Sequence, residues 1–129
     1  MSSASTPRSF DPPRRRPVPE TFVALDSHGR ESTHRVANGT LIVVVKDNCG
    51  GCSEIVSNQS QITAPLLIVT ASQAASATYQ ALLAPEFISQ IDARYPPVYL
   101  LVGGDPLGVL CEGTVFSAEQ VQSEIAPHL

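Results

Sequence analysis

Cys49 and Cys52 are the residues best placed to do chemistry, because only two glycines separate them in the run Cys49-Gly50-Gly51-Cys52. At that spacing on a helix two sulfurs lie about one turn apart and on the same side. Such a pair can close as a disulfide, exchange that disulfide with another, or share a metal ion. The third cysteine, Cys111, stands alone. A structural disulfide framework wants an even set, and no charged start leads into an apolar stretch and a small-residue cleavage site. The expected setting is therefore a reducing, cytoplasmic one, in which a CxxC pair is redox-active or metal-binding. Zinc asks for four ligands, and only Cys111 or a distant histidine (His28, His34, His128) is available to complete a set. Lys46, Asp47 and Glu54 flank the motif as charges able to tune a thiol or carry its proton.

The chain that must position these thiols has 129 residues, of which 43% are apolar, enough for one domain with its own core. Its longest uninterrupted apolar runs, Leu41 to Val45 and Val98 to Val102, fall far short of the roughly 20 residues a membrane-spanning helix needs. The net charge of −4 hides an asymmetry. Residues 1–20 hold four arginines against Asp11 and Glu20, whereas residues 21–129 hold four basic and ten acidic side chains, a balance of about −6. A body of that sign repels phosphate backbones, so no nucleic-acid partner is expected.

Residues 1–20 carry five of the eleven prolines and no apolar periodicity, which predicts a disordered Pro/Arg/Ser-rich arm ahead of a domain at 21–129. Thr21 to Leu25 reads as a strand, Asp26 to Gly29 as a tight turn, and Ser32 to Val36 as its partner strand. Thr40 to Lys46 is β-branched without polar alternation, as in a strand covered on both faces. The cysteines follow at once, at a strand-to-helix junction, with Ser53 to Ser57 supplying one or two turns. Ala64 to Thr70 forms a second buried strand, Ser72 to Ala84 a helical region, and Pro85 opens a short helix carrying Phe87, Ile88 and Ile91. Tyr95-Pro96-Pro97 ends that helix. Val98 to Val102 then pairs with Leu107 to Glu112 across a Gly103-Gly104-Asp105-Pro106 turn, and Gly113 closes the strand. Ser117 with Gln120 reads as the cap of a last helix whose Val121, Ile125 and Phe116 face inward. Cys111, inside the last strand, is expected to pack as a small hydrophobe.

A strand, a CxxC at a helix start, a Pro-preceded strand, a hairpin, a glycine and a terminal helix together resemble the thioredoxin-like superfamily, from about Thr40 to the C-terminus. The hairpin from Phe22 to Gly29 is similar to the N-terminal extension of its TlpA-like, redoxin branch. The resemblance implies an α/β fold, a central mixed β-sheet flanked by helices, with a short N-terminal hairpin. It also implies a thiol-disulfide oxidoreductase that needs no cofactor or metal. Cys49 would be the nucleophile and Cys52 the resolving thiol, acting on a protein or small-molecule disulfide and recharged by an electron donor. Pro97, with Pro96 as the neighbouring alternative, would be the cis proline that faces the cysteines and holds the substrate backbone. Gly50 and Gly51, lacking side chains, would let that backbone approach closely. The family usually places an aromatic residue before the first cysteine, whereas Asp47-Asn48 stand here and the chain has no Trp. That departure keeps a non-catalytic interaction module open as an alternative, and the CxxC pair by itself leaves open a cysteine-ligated metal protein.

Overall fold

The computed structural model describes residues 15–129, so the disorder expected of residues 1–14 lies outside the described part. Strands β1 (Thr21–Leu25) and β2 (Glu31–Arg35) form the expected antiparallel hairpin, Thr21 opposite Arg35 and Leu25 opposite Glu31. Its turn follows from Asp26, whose Oδ1 accepts the backbone N–H groups of His28 at 2.8 Å and Arg30 at 2.9 Å.

Strand β3 (Leu41–Val45) is buried at every position, and its alternation divides the core in two. Leu41, Val43 and Val45 face the helices α1 (Gly50–Ser57) and α4 (Ala118–Ile125), packing with Ile55, Val121 and Ile125. Ile42 and Val44 face the opposite side, where helix α3 (Pro85–Gln90) contributes Phe87 and Ile88 and the hairpin contributes Phe22. Strands β4 (Leu66–Thr70), β5 (Leu82–Leu83), β6 (Val98–Gly103) and β7 (Gly108–Thr114) complete a seven-stranded sheet in the order β2-β1-β5-β4-β3-β6-β7. β3 runs parallel to β4 and antiparallel to β6, so the sheet is mixed, as expected. Among the described residues no helix is long and apolar enough to cross a membrane.

Several expectations need correction. The helical region predicted for Ser72 to Ala84 is a shorter helix, α2 (Gln73–Tyr79), followed by strand β5. Gln80 turns left-handed at φ 54°, and the Ser76 hydroxyl donates to the Ala81 carbonyl at 2.6 Å, which frees Leu82 and Leu83 to pair with Val69 and Thr70. Pairing with a neighbouring strand outweighs the helix propensity of an Ala- and Leu-rich stretch. Phe116 does not face inward but is 71% exposed, and β7 runs past Gly113 to Thr114. Finally, the arm does not stop short of the fold at Thr21. Pro17 forms an antiparallel bridge with Gly108, Val18 is buried, and Arg16 grips the Glu112 carboxylate through two guanidinium nitrogens at 2.8 and 2.5 Å. These contacts cover the outer edge of β7, which would otherwise offer unpaired N–H and C=O groups.

Candidate functional site

The backbone leaving β3 turns sharply at Asn48, whose φ of 51° lies in the left-handed region that asparagine tolerates better than most residues. Cys49 then occupies the N-cap of α1 in extended conformation, and its Sγ accepts the backbone N–H of Cys52 at 3.1 Å. This bond satisfies one of the donors that every helix start leaves unpaired. The two cysteines are joined as a disulfide with their Cα atoms 5.2 Å apart. Their environments differ: Cys52 is fully buried, while Cys49 keeps 7% of its surface exposed.

The intervening glycines also differ. A Cβ on Gly50 would meet nothing, whereas one on Gly51 would run into the carbonyl oxygen of Val115 and come within 3.5 Å of the Phe116 Cα. Gly51 is therefore packed against the chain's own backbone, while Gly50 faces open space. Val115 also donates its N–H to the Pro97 carbonyl at 3.1 Å, and the Pro96–Pro97 peptide is cis. One residue, Val115, thus spans from the proline loop to the cysteine helix. Glu54, two residues after Cys52, accepts the Ala118 N–H at 2.9 Å and so ties α1 to the start of α4. The sequence suggested a role for Glu54 in tuning a thiol; here its carboxylate holds two helices together. Lys46 is exposed at the end of β3.

On the other side of Cys49, an open cleft of about 540 Å³ lies between α1 and α2, lined by Asp47, Asn48, Cys49 and Ser53 and, from α2, by Ala74, Ala75, Thr78 and Tyr79. The Tyr79 hydroxyl lies 3.3 Å from both the Cys49 carbonyl and the Ser53 hydroxyl, bracing the two helices. Asp47 accepts the Ser72 hydroxyl at 2.6 Å, which links the β3 end to the cap of α2. Tyr79 and Thr78 were not singled out from sequence. The one visible signal was the missing bulk at Asp47-Asn48; nothing local to residues 74–79 said that they would face it.

Cys111 does not join the pair. It lies on β7 opposite Leu101, partly buried, and among the described residues no group of three or more His, Cys, Asp or Glu side chains is arranged to hold a metal ion. Burial pushes its thiol pKa up, and the nearby Glu124 charge adds to the shift. A raised pKa keeps the thiol protonated at pH values where a solvated cysteine is already partly thiolate, the reactive form. Alkylation of Cys111 by iodoacetamide at pH 8 is expected to run several-fold slower in the folded protein than in urea, read by mass spectrometry. Equal rates would mean that the β7 strand does not shield it.

No family model and no curated protein matches the chain. Solved structures do. A thio-disulfide isomerase from Thermus thermophilus superposes with a TM-score of 0.55 at 16% identity, covering 90% of this chain and 96% of its own. A proposed electron transfer protein from Aquifex aeolicus VF5 gives 0.60 at 12% identity, covering 89% and 95%. A thioredoxin-like protein from Bacteroides caccae ATCC 43185 gives 0.53 at 11% identity, covering 90% of this chain and 50% of that one. The fold is thioredoxin-like. With the thioredoxin-like architecture established, the CxxC pair sits at the strand-to-helix junction from which the resemblance in sequence was read, and the N-terminal hairpin is present as an extension of the sheet.

Proposed function

We propose that this chain is a thiol-disulfide oxidoreductase in which Cys49 attacks and Cys52 resolves. The observation that carries the reading is the asymmetry of the pair: Cys49 caps α1 and borders an open cleft, while Cys52, one turn later, is wholly buried. In the reduced protein a Cys49 thiolate would accept the Cys52 N–H and sit at the positive end of the α1 dipole, both of which favour the charged form. Attack on a substrate disulfide forms a mixed disulfide at Cys49 and expels one substrate thiolate. Cys52 then attacks the Cys49 sulfur, restoring the internal disulfide and releasing the second thiolate. Two electrons pass from the protein to the substrate, and a dithiol donor returns them. Run backwards, the same steps oxidise a dithiol, so direction follows the reduction potential relative to the partner. The cis Pro96–Pro97 loop, tied to α1 through Val115, supports a role for Pro97 in holding substrate backbone beside the sulfurs.

The test is a trapping experiment. Cys52→Ser is expected to accumulate a mixed disulfide with a reactive disulfide such as that of insulin, visible as an added mass lost on reduction. Cys49→Ser is expected to trap nothing, and both variants to lose catalysed insulin reduction by dithiothreitol down to background. Wild-type protein that fails to cycle between dithiol and disulfide would leave an interaction module built on the same fold.

A further inference from the structure

We propose that the cleft between α1 and α2 binds the retained half of a small, positively charged disulfide during exchange at Cys49, with Asp47 selecting the charge. This rests on the exchange reading above and names a substrate class for it. The cleft, at about 540 Å³, is within the size range of small-ligand sites, and it opens directly beside the less buried of the two cysteines. It exists because bulk is missing on both sides. Asp47-Asn48 precede Cys49 on one wall, and Ala74, Ala75 and Thr78 present only small side chains on the other. Tyr79, braced on the Cys49 carbonyl and the Ser53 hydroxyl, keeps that space from closing.

The charge of the site has one sign. Among the described residues Asp47 is the sole carboxylate along the lining, and no Lys, Arg or His lines it. Its bond to the Ser72 hydroxyl comes from a neutral donor and does not cancel the charge. The chain as a whole is also negative, with a net charge of −4, which adds a field of the same sign. An ammonium group on the retained thiol half is therefore attracted, and a carboxylate there is repelled. In the step itself, the Cys49 thiolate breaks the substrate S–S bond, one amino-thiolate leaves and takes a proton from water, and the other half stays bonded to Cys49 in the cleft. Attack by Cys52 on the Cys49 sulfur releases that half as the second thiolate. The protein dithiol is oxidised, the substrate is reduced, and added dithiothreitol resets the pair.

The test compares cystamine (cationic), 2-hydroxyethyl disulfide (neutral) and 3,3'-dithiodipropionate (anionic). Each catalysed second-order rate is divided by the rate of uncatalysed reaction with dithiothreitol, to remove intrinsic reactivity. Cystamine is expected to exceed dithiodipropionate by about fivefold at low ionic strength, with the gap shrinking as salt is added. Asp47→Lys is expected to reverse the order, and Thr78→Glu, at an exposed helix position, to widen it. Thermal melts of both variants establish that they fold, and either alone carries the charge test. Turnover of all three probes with a flat ranking, or a ranking that neither substitution moves, overturns the cleft proposal and leaves the exchange reading standing. Absence of reaction with every probe and with insulin overturns both.

Discussion

Gly51→Ala is expected to destabilise the oxidised protein by about 1–3 kcal/mol, the usual cost of forcing an extra methyl into a filled space. Gly50→Ala, one residue away, is expected to be neutral or to gain up to about 1 kcal/mol, because alanine loses less entropy than glycine on entering a helix. The contrast arises from surroundings rather than from backbone conformation, since neither glycine has positive φ. At Gly51 the obstacle is the Val115 carbonyl, a backbone group that also belongs to the segment bonded to Pro97, so it cannot rotate aside as a side-chain tip would. Relief requires the start of α1 to move away from that segment, and exchange at Cys49 should slow as well. Urea unfolding of the two variants, paired with insulin turnover, measures both effects. Equal stabilities for Gly50→Ala and Gly51→Ala would show that the helix start does not rest on Val115.

Phe87→Ala should cost more, about 3–5 kcal/mol, the range for removing a fully buried aromatic ring. Phe87 is 1% exposed and stacks on Phe22 with ring centroids 3.9 Å apart and planes 10° from parallel. That stack fastens the hairpin to the body of the sheet, which β1 otherwise joins through the Leu25 to Leu83 pair. The cavity left by alanine would face Ile42, Val44 and Leu100, on the side of the sheet opposite the cysteines. Hydrogen exchange is therefore expected to accelerate most across residues 21–35, while the folded fraction retains its Cys49–Cys52 disulfide and its reactivity. Loss of exchange chemistry in proportion to folded protein fits this picture. A selective loss at the cysteines in fully folded Phe87→Ala would contradict the division of the core into two faces.

Much of the architecture could be read from local pattern. Thr21 to Leu25, Leu41 to Val45 and Val98 to Val102 declare themselves as strands by β-branched and apolar runs, and Pro85 and Ser117 mark helix starts by the chemistry of their own side chains. The CxxC at the junction after β3 was equally visible, because a junction is a local event. What could not be read depends on partners distant in sequence. Leu82 and Leu83 become a strand only because Val69, Thr70 and Leu25 stand ready to pair with them. Residues 16–18 leave the predicted arm only because the β7 edge offers hydrogen bonds and Glu112 a charge.

The site divides along the same line. Sequence alone determined that two thiols one turn apart would follow a buried strand and that a proline would precede β6, since each follows from residue types a few positions apart. Tertiary structure decided which thiol borders open space, which glycine is crowded, and that Ala74, Thr78 and Tyr79 would meet Asp47 across a cleft. These outcomes arise where the sheet order brings separate segments into van der Waals contact, and no window along the chain contains both members of such a contact.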